Sequence, residues 1–419
     1  MSATESNGTA RELDIVVYGA TGFVGKLLAE YLAENAPTNA RIALGGRSRE
    51  KLEAVRTGLG AGAASWPIVV ADADDAAALD ALAARTRVVA TTVGPYAKYG
   101  RELVRACAEA GTDYVDLSGE VLFARDTIDR HHDTAKSTGA RIVHSCGFDS
   151  IPSDLGVHVL HEAVAADDAG ELTDTTLVVT SLSGGVSGGT IDSLRNQVDQ
   201  SKKAPELRKI AATPYSLSPD RSHEPDLGRQ SDMSIVKGED IAPGVYGWKI
   251  PFVMGPANTR VVRRTNALRD WAYGRKFKYR EVMSVGSSVF SPAIAVVATA
   301  GIGLGVAGFA FPSTRALLDR LLPKPGEGPD EATRDKGHFT IDVFTTTTTG
   351  ARYAARVKAK GDPGYKATAV MLGESALGLA FDRDALPDVA GVLTPATGIG
   401  DVLVNRLRAA GVELSTRKL

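Results

Sequence analysis

The run DIVVYGATGFVGKLLAEYL, residues 14–32, constrains the fold more than any other part of the chain. An apolar segment, Asp14–Tyr18, leads directly into Gly19, Gly22 and Gly25. A helical pattern follows from Phe23, with Leu27, Leu28, Tyr31 and Leu32 on one side. Glycine at the first position permits a tight turn, at the second lets backbone approach a pyrophosphate, and at the third allows close helix–sheet packing. Thr21, Phe23 and Val24 complete the loop and the first helical turn, whose free N–H groups and positive dipole end suit a phosphate. A glycine-rich turn without a ligand is the competing reading, but a strand before and a helix after is the context that dinucleotide binding requires.

The alternation continues. Arg41–Leu44, Pro67–Ala71, Arg87–Thr92, Asp113–Leu117 and Ala140–Ser145 read as further strands, each after a helical stretch. Their Val, Ile and Ala content fits burial on both faces. Six such strands predict an α/β fold, a Rossmann doubly wound parallel sheet over residues 1–150. After Pro152 the pattern becomes more alternating and Thr-rich. Thr176–Ser183, Thr259–Thr265 and Lys276–Ser284 read as strands, and Phe339–Thr348 with Ala351–Lys358 as a hairpin turning at Gly350. Helices are expected at Thr190–Lys203 and Tyr365–Leu379, and a loop over Pro323–Gly337. The expectation is a second α+β domain with a mixed or antiparallel sheet over 151–393, with 394–419 able to return to the first domain.

The end of the second strand bears on the cofactor. An acid there would hold a ribose 2′-OH; the sequence instead runs Gly45-Gly46-Arg47-Ser48. Arg47 can pair with a 2′-phosphate and Ser48 can donate to it, which points to NADPH, although Arg47 can equally be a plain surface residue. Asp72 ends the third strand near the adenine position. Thr92, Gly94 and Pro95 follow the fourth, beside the nicotinamide ribose, where ligands sit at the switch point of such sheets.

Charge and cysteine content exclude other classes. The chain has 48 Lys plus Arg and 50 Asp plus Glu, a net charge of −2, without the basic excess of a nucleic-acid binder. Its two cysteines, Cys107 and Cys146, form no CxxC pair, which disfavours zinc ribbons and disulfide scaffolds and fits a reducing, cytoplasmic setting. The N-terminal stretch has no apolar run, so no secretory signal is expected. His158 and His161 lie one helical turn apart without further ligands nearby, and no metal is assigned.

Further motifs occur in order: YGATGFVGKL, GGRS, TTVGPYAKYG, GTDYVDLSGE, CGFDSIPSDLG, SGGVSGGT, NTRVVRRTNAL, TTTTTGARY and DPGYKAT. Together they cover nearly the whole chain. The set resembles the saccharopine dehydrogenase-like oxidoreductases, and within them the trans-acting enoyl reductases of polyketide-type lipid assembly. The resemblance implies NADPH-dependent reduction of an enoyl thioester or lipid, borne by an acyl carrier protein or polyketide synthase. Two alternatives remain at this point: a dehydrogenase of a saccharopine-like amino acid, and a non-catalytic, membrane-associated adaptor.

Other chemistry is less well supported. None of the eleven tyrosines has Lys four positions later, against a short-chain dehydrogenase. Gly185–Gly189 matches GxSxG, but in a glycine-rich stretch that also reads as a flexible turn. Enoyl reduction needs a proton donor near the strand ends, and Tyr96 and Cys146 are the candidates taken forward, with packing as the other role for Tyr96. Asp149 and Asp154 read as caps of the helix near Pro152.

Residues 282–314 carry no charge, and an apolar segment spans 290–312. Just before it, Arg260–Arg280 holds eight basic residues interleaved with Trp271, Tyr273, Phe277 and Tyr279. This pairing raises peripheral contact with the inner face of the plasma membrane through Arg263, Arg264, Arg275, Lys276 and Lys278. A buried helix, a substrate lid and a spanning helix are the alternatives.

Overall fold

The computed structural model describes residues 11–184, 188–287, 291–309, 311, 314–315 and 328–419. The first part builds β1 (Leu13–Tyr18), α1 (Phe23–Asn35), β2 (Ile42–Gly46), α2 (Arg49–Gly58), β3 (Ile68–Val70), α3 (Ala76–Arg85) and β4 (Thr86–Thr91). The short α4 (Tyr96–Tyr99), α5 (Arg101–Ala110), β5 (Asp113–Val115), α6 (Val121–Thr138) and β6 (Arg141–Val143) follow. All pairings are parallel, in the order β3-β2-β1-β4-β5-β6. β1 and β2 are buried throughout, as strands covered on both faces require. The order reverses between β1 and β4, so the loops after these two strands flank a crevice at the carboxyl edge.

Beyond β6 come α7 (Ile151–Ala166), β7 (Leu172–Ser183), α8 (Gly188–Lys203), α9 (Pro205–Ala212), β8 (Val236–Lys237), β9 (Trp248–Pro251) and α10 (Gly255–Leu268). Then follow β10 (Lys278–Ser284), α11 (Ser291–Gly308), β11 (His338–Thr347), β12 (Arg352–Lys360), β13 (Gly391–Leu393) and β14 (Glu413–Lys418). The second sheet is mixed, ordered β14-β12-β11-β7-β10-β9-β8; its β7–β10 pair is parallel and its other pairs are antiparallel. The β11–β12 hairpin turns at Gly350, whose φ of +83° suits glycine.

The chain passes between the sheets more often than expected. β13 adds a seventh strand beside β6, while β14 joins the second sheet rather than the first. The helix Lys366–Phe381 packs on α1 and β4, and α7 packs on β12. One continuous apolar core therefore runs from Ile15 and Val88 through Leu155 and Met371 to Val343 and Val357.

Two local expectations are corrected. Thr259–Thr265 is helical, within α10, not a strand. Asn258 through Ala267 are all buried, so no one-sided apolar stripe marks the helix, and its paired valines imitate a strand. Within the expected loop Pro323–Gly337, Glu331–Lys336 forms a short helix capped by Asp330; residues 323–327 lie outside the described residues.

Candidate active site

The glycine loop is built by close approach. Gly19 has a φ of +89°, and a Cβ there would lie 2.6 Å from Val93 Cγ2. A Cβ on Gly25 would lie 2.1 Å from the Gly19 carbonyl oxygen, so α1 sits directly on the turn. Gly22 differs: it is exposed with ordinary φ, and a Cβ would meet only Gly19 O at 3.3 Å. The fold leaves this position open, facing out of the turn. No side chain caps α1, and among the described residues the amides of Phe23, Val24 and Gly25 have no acceptor. An open glycine beside free helix-start amides fits a pyrophosphate. The Phe23 ring is clamped by Tyr365, edge-on at 4.8 Å, and by Arg334 at 5.4 Å, which ties the loop to the second part of the chain. Thr21 is half-buried beside the loop.

At the neighbouring strand ends, Tyr18 donates to Ala71 O at 3.2 Å. Burial pushes its phenol up to about 12, with the Asp72 and Asp74 charges adding and Arg47 opposing. Arg47 and Asp72 thus flank one position beyond β1–β3, and both are exposed. Ser48 caps α2 by accepting from Lys51 N, which leaves its own hydroxyl proton to donate. Between α1 and α2 lies a groove of about 320 Å³ that Thr21 and Lys51 both line, with Lys26 and Glu30. Lys51, one turn into α2, is a cation that sequence reasoning did not single out.

Across the crevice, Thr92 donates to Gly19 O at 3.3 Å, and the Gly94–Pro95 peptide is cis. Glu120, past β5, accepts from Tyr96 N at 2.8 Å, Ala97 N at 3.0 Å and Ser193 Oγ at 2.7 Å. This carboxylate binds the loop after β4 to α8, and burial raises its pKa. The sequence places Glu120 at the end of the fifth strand, among groups able to reach the site, but gives no sign of these partners, which are two backbone amides and a residue in another helix.

The two proton-donor candidates turn away from the crevice. The Tyr96 hydroxyl donates to Thr91 O at 3.3 Å and accepts from Leu117 N at 3.2 Å, with its ring stacked on Phe123. Burial drives its pKa well above the usual phenol value. Tyr96 is a structural pin beneath the strand ends. Cys146 is fully buried, its Sγ 3.5 Å from Val143 O, and burial raises its thiol pKa strongly.

Asp149 is different. It lies between β6 and α7, just before Ser150 at the start of the helix. Among the described residues its carboxylate has no hydrogen-bond or ion-pair partner, and no side chain caps α7. The residue is half-buried, reached by solvent, yet the protein crowding around it lifts its pKa to about 6. Asp154 does not cap either: it accepts from the Thr265 hydroxyl and from Ala396 N at 2.8 Å, linking α7 to α10 and the chain end.

Residues 15–143 match the saccharopine dehydrogenase NADP-binding domain. A Mycobacterium tuberculosis protein whose name places it among trans-acting enoyl reductases is 56% identical over 418 residues, covering 98% of this chain and 99% of the relative. The trans-acting enoyl reductase of Mycobacterium ulcerans is 51% identical over 415 residues, with 98% and 99% covered. The chain belongs to the trans-acting enoyl reductase family. Its first sheet is an NADP-binding domain, and the cofactor is NADPH. The fold is shared with saccharopine dehydrogenase (L-Glu forming) from Saccharomyces cerevisiae, at a TM-score of 0.53 and 15% identity over 97% of this chain and 99% of that one.

In this family member the basic segment before α11 divides: of the five cations read as lipid-facing, Arg263 and Arg264 are interior, which corrects that reading for these two, and three stay on the surface. Arg260, Arg263 and Arg264 are buried in α10. Arg263 donates to Tyr279 O at 2.7 Å, and Arg264 to Leu217 O and Val392 O at 2.5 Å each. Burial lowers their pKa values to about 10 and about 9. Tyr273, Phe277 and Tyr279 are buried with them; Arg275, Lys276 and Lys278 remain exposed. No helix among the described residues is long and apolar enough to cross a membrane. His158 lies between Asp401 and Arg269, both at 2.8 Å, pinning α7 to its neighbours. Residues 185–187 of the GxSxG stretch lie outside the described residues.

Proposed function

We propose that the protein is an NADPH-dependent enoyl reductase acting in trans on an enoyl thioester of polyketide-type lipid assembly, presented by an acyl carrier protein or polyketide synthase. The full-length likeness to relatives of that name carries this reading. The first sheet, with residues up to about 150, holds the cofactor, and much of 151–393 shapes the substrate side. Gly19, Gly22 and Gly25 with the amides of Phe23 and Val24 receive the pyrophosphate. Arg47, Ser48 and Lys51, with Thr21, receive the 2′-phosphate; Asp72 lies towards the adenine, and Thr92, Gly94 and Pro95 line the nicotinamide ribose. The enzyme works in the cytoplasm, in contact with the inner face of the plasma membrane.

When bound, the cofactor supplies a hydride to the β-carbon of the enoyl group. The π-electron pair then moves towards the thioester carbonyl, and the α-carbon takes a proton. Asp149 is the residue we assign to deliver it. Among the described residues its carboxyl has no partner, and its raised pKa, about 6, keeps a useful protonated fraction near neutrality. Water recharges it after each turnover. Tyr96 and Cys146 keep their structural bonds and do not take part.

The test is NADPH oxidation with enoyl thioesters of several chain lengths. Asp149→Asn is expected to lower kcat by about 10²–10⁴-fold with NADPH affinity unchanged. In the wild type kcat should fall as pH rises above about 6, as the carboxyl loses its proton, and that dependence should vanish in the variant. Oxidation of an amino-acid substrate with no enoyl turnover overturns the reading.

A further inference from the structure

α11 has the reverse of an ordinary surface helix pattern. Its sequence, SPAIAVVATAGIGLGVAG, contains no charge, yet half its circumference faces solvent. Ser291 and Ala295 are fully buried on the inner side. On the outer side, Val296 is 60%, Val297 71% and Leu304 73% exposed. At 100° per residue these three and Ile294, which is also exposed, fall on one face. Side chains added at Gly301 and Gly303 would meet nothing within 4 Å, so this face opens on empty space.

We infer that the outer face of α11 lies in the apolar layer of a lipid bilayer surface, as a flat anchor that does not span. This rests on the membrane-contact reading above and names the surface that makes it. Two observations select lipid over a protein. The first is size: an 18-residue helix is about 27 Å long and about 10 Å wide, so a pair of copies would bury only about 600 Å², half of what a stable interface needs. The second is chemistry. Protein interfaces carry about one hydrogen bond per 100–200 Å², and Ile294, Val296, Val297, Gly301 and Leu304 offer no side-chain donor or acceptor. An acyl layer asks for none, and the helix satisfies its own backbone.

The absence of charge from 282–314 sets the mode of binding. Attachment is driven by apolar area, not by headgroup electrostatics, so it is insensitive to salt and to headgroup charge. Flotation of the full chain with phosphatidylcholine vesicles tests this at low and high salt. Equal binding at both, with or without added phosphatidylglycerol, is expected. Val296→Glu and Val297→Glu should each weaken binding about tenfold or more, the expectation for a valine that leaves an apolar medium. Leu304→Ser, a milder change, should weaken it as well. Circular dichroism and NADPH affinity confirm that each variant is folded. Reduction of a short, water-soluble enoyl thioester should persist in all three; its absence in the wild type would count against the reductase reading and leave the anchor intact. Three results overturn the anchor: binding to anionic vesicles alone that high salt abolishes, a dimer that Val297→Glu dissociates, or unchanged vesicle binding with a raised KM only for long-chain substrates.

Discussion

Ser193 of α8 donates a hydrogen bond of 2.7 Å to Glu120, which stands past β5, 73 residues earlier. The same carboxylate receives Tyr96 N and Ala97 N, so one buried charge joins the loop after β4 to the helix that covers it. Ser193→Ala removes one of three donors and leaves the charge satisfied by two. The expected cost is about 1 kcal/mol, that of one hydrogen bond to a carboxylate that keeps its others, felt as looser closure of α8. KM for the enoyl substrate should rise about fivefold, the equivalent of that energy, with kcat and melting temperature little changed. Steady-state kinetics and thermal melting separate this from a folding defect.

The glycines of the loop should divide by mechanism. Gly22→Val places a branched side chain in the space left open for a pyrophosphate. The protein should fold and fail to bind NADPH, measured by cofactor fluorescence. Gly25→Ala is the smaller change with the larger structural effect, because its Cβ would lie 2.1 Å from Gly19 O. Either α1 or the turn must move, and the melting temperature should drop for Gly25→Ala but not for Gly22→Val. Retained NADPH affinity in Gly22→Val would mean that the loop does not hold the cofactor.

Arg47 and Lys51 make the cofactor choice testable. Arg47→Ala should weaken NADPH by about 1.5–3 kcal/mol, the loss of a charge-assisted hydrogen bond, and leave NADH nearly unchanged. Lys51→Ala should act in the same direction with a smaller loss. Titration with both cofactors checks this; equal losses for NADPH and NADH would remove these residues from the 2′-phosphate site.

Much of the first sheet was legible because its strands are apolar on both faces and the glycine spacing has one structural solution. The strand expected over Phe339–Thr348 was legible too: its β-branched threonines suit a strand, and β11 holds Thr345, Thr346 and Thr347. What stayed hidden depends on burial that sequence does not display. Arg263 and Arg264 look like surface cations and are interior, because backbone carbonyls of Tyr279, Leu217 and Val392 receive them. β13 is three residues long and pairs with a strand some 250 positions earlier, which no local pattern can announce. Tyr96 was placed correctly at the strand end, but the direction of its hydroxyl depends on Thr91 and Leu117. Asp149 was passed over as a cap, since an acid before a helix is most often one, and only the absence of a partner distinguishes it.

The buried network joining α7, α10 and β10 gives a prediction about stability. Glu281 is 2% exposed and accepts from Tyr279 OH at 2.8 Å and Asn258 Nδ2 at 2.9 Å. Burial lifts its carboxyl from 4.5 to about 7, more than hydrogen bonding by Ser153 of α7, Asn258 and Tyr279 lowers it. In the unfolded chain the group loses its proton near 4.5, so between there and about 7 the folded state holds more protons. Its contribution is therefore fully present below about pH 4.5 and is lost as pH rises through about 7. A shift of this size corresponds to roughly 3 kcal/mol over that window. Glu281→Gln removes the titration while keeping the Asn258 and Tyr279 contacts: the amide oxygen can accept from Asn258, and the amide NH₂ can donate to the Tyr279 oxygen. The variant should therefore gain stability relative to wild type as pH increases from 5 to 8. Chemical denaturation at these two pH values measures it. A difference between the proteins that stays constant with pH would show that Glu281 titrates alike in the folded and unfolded chains.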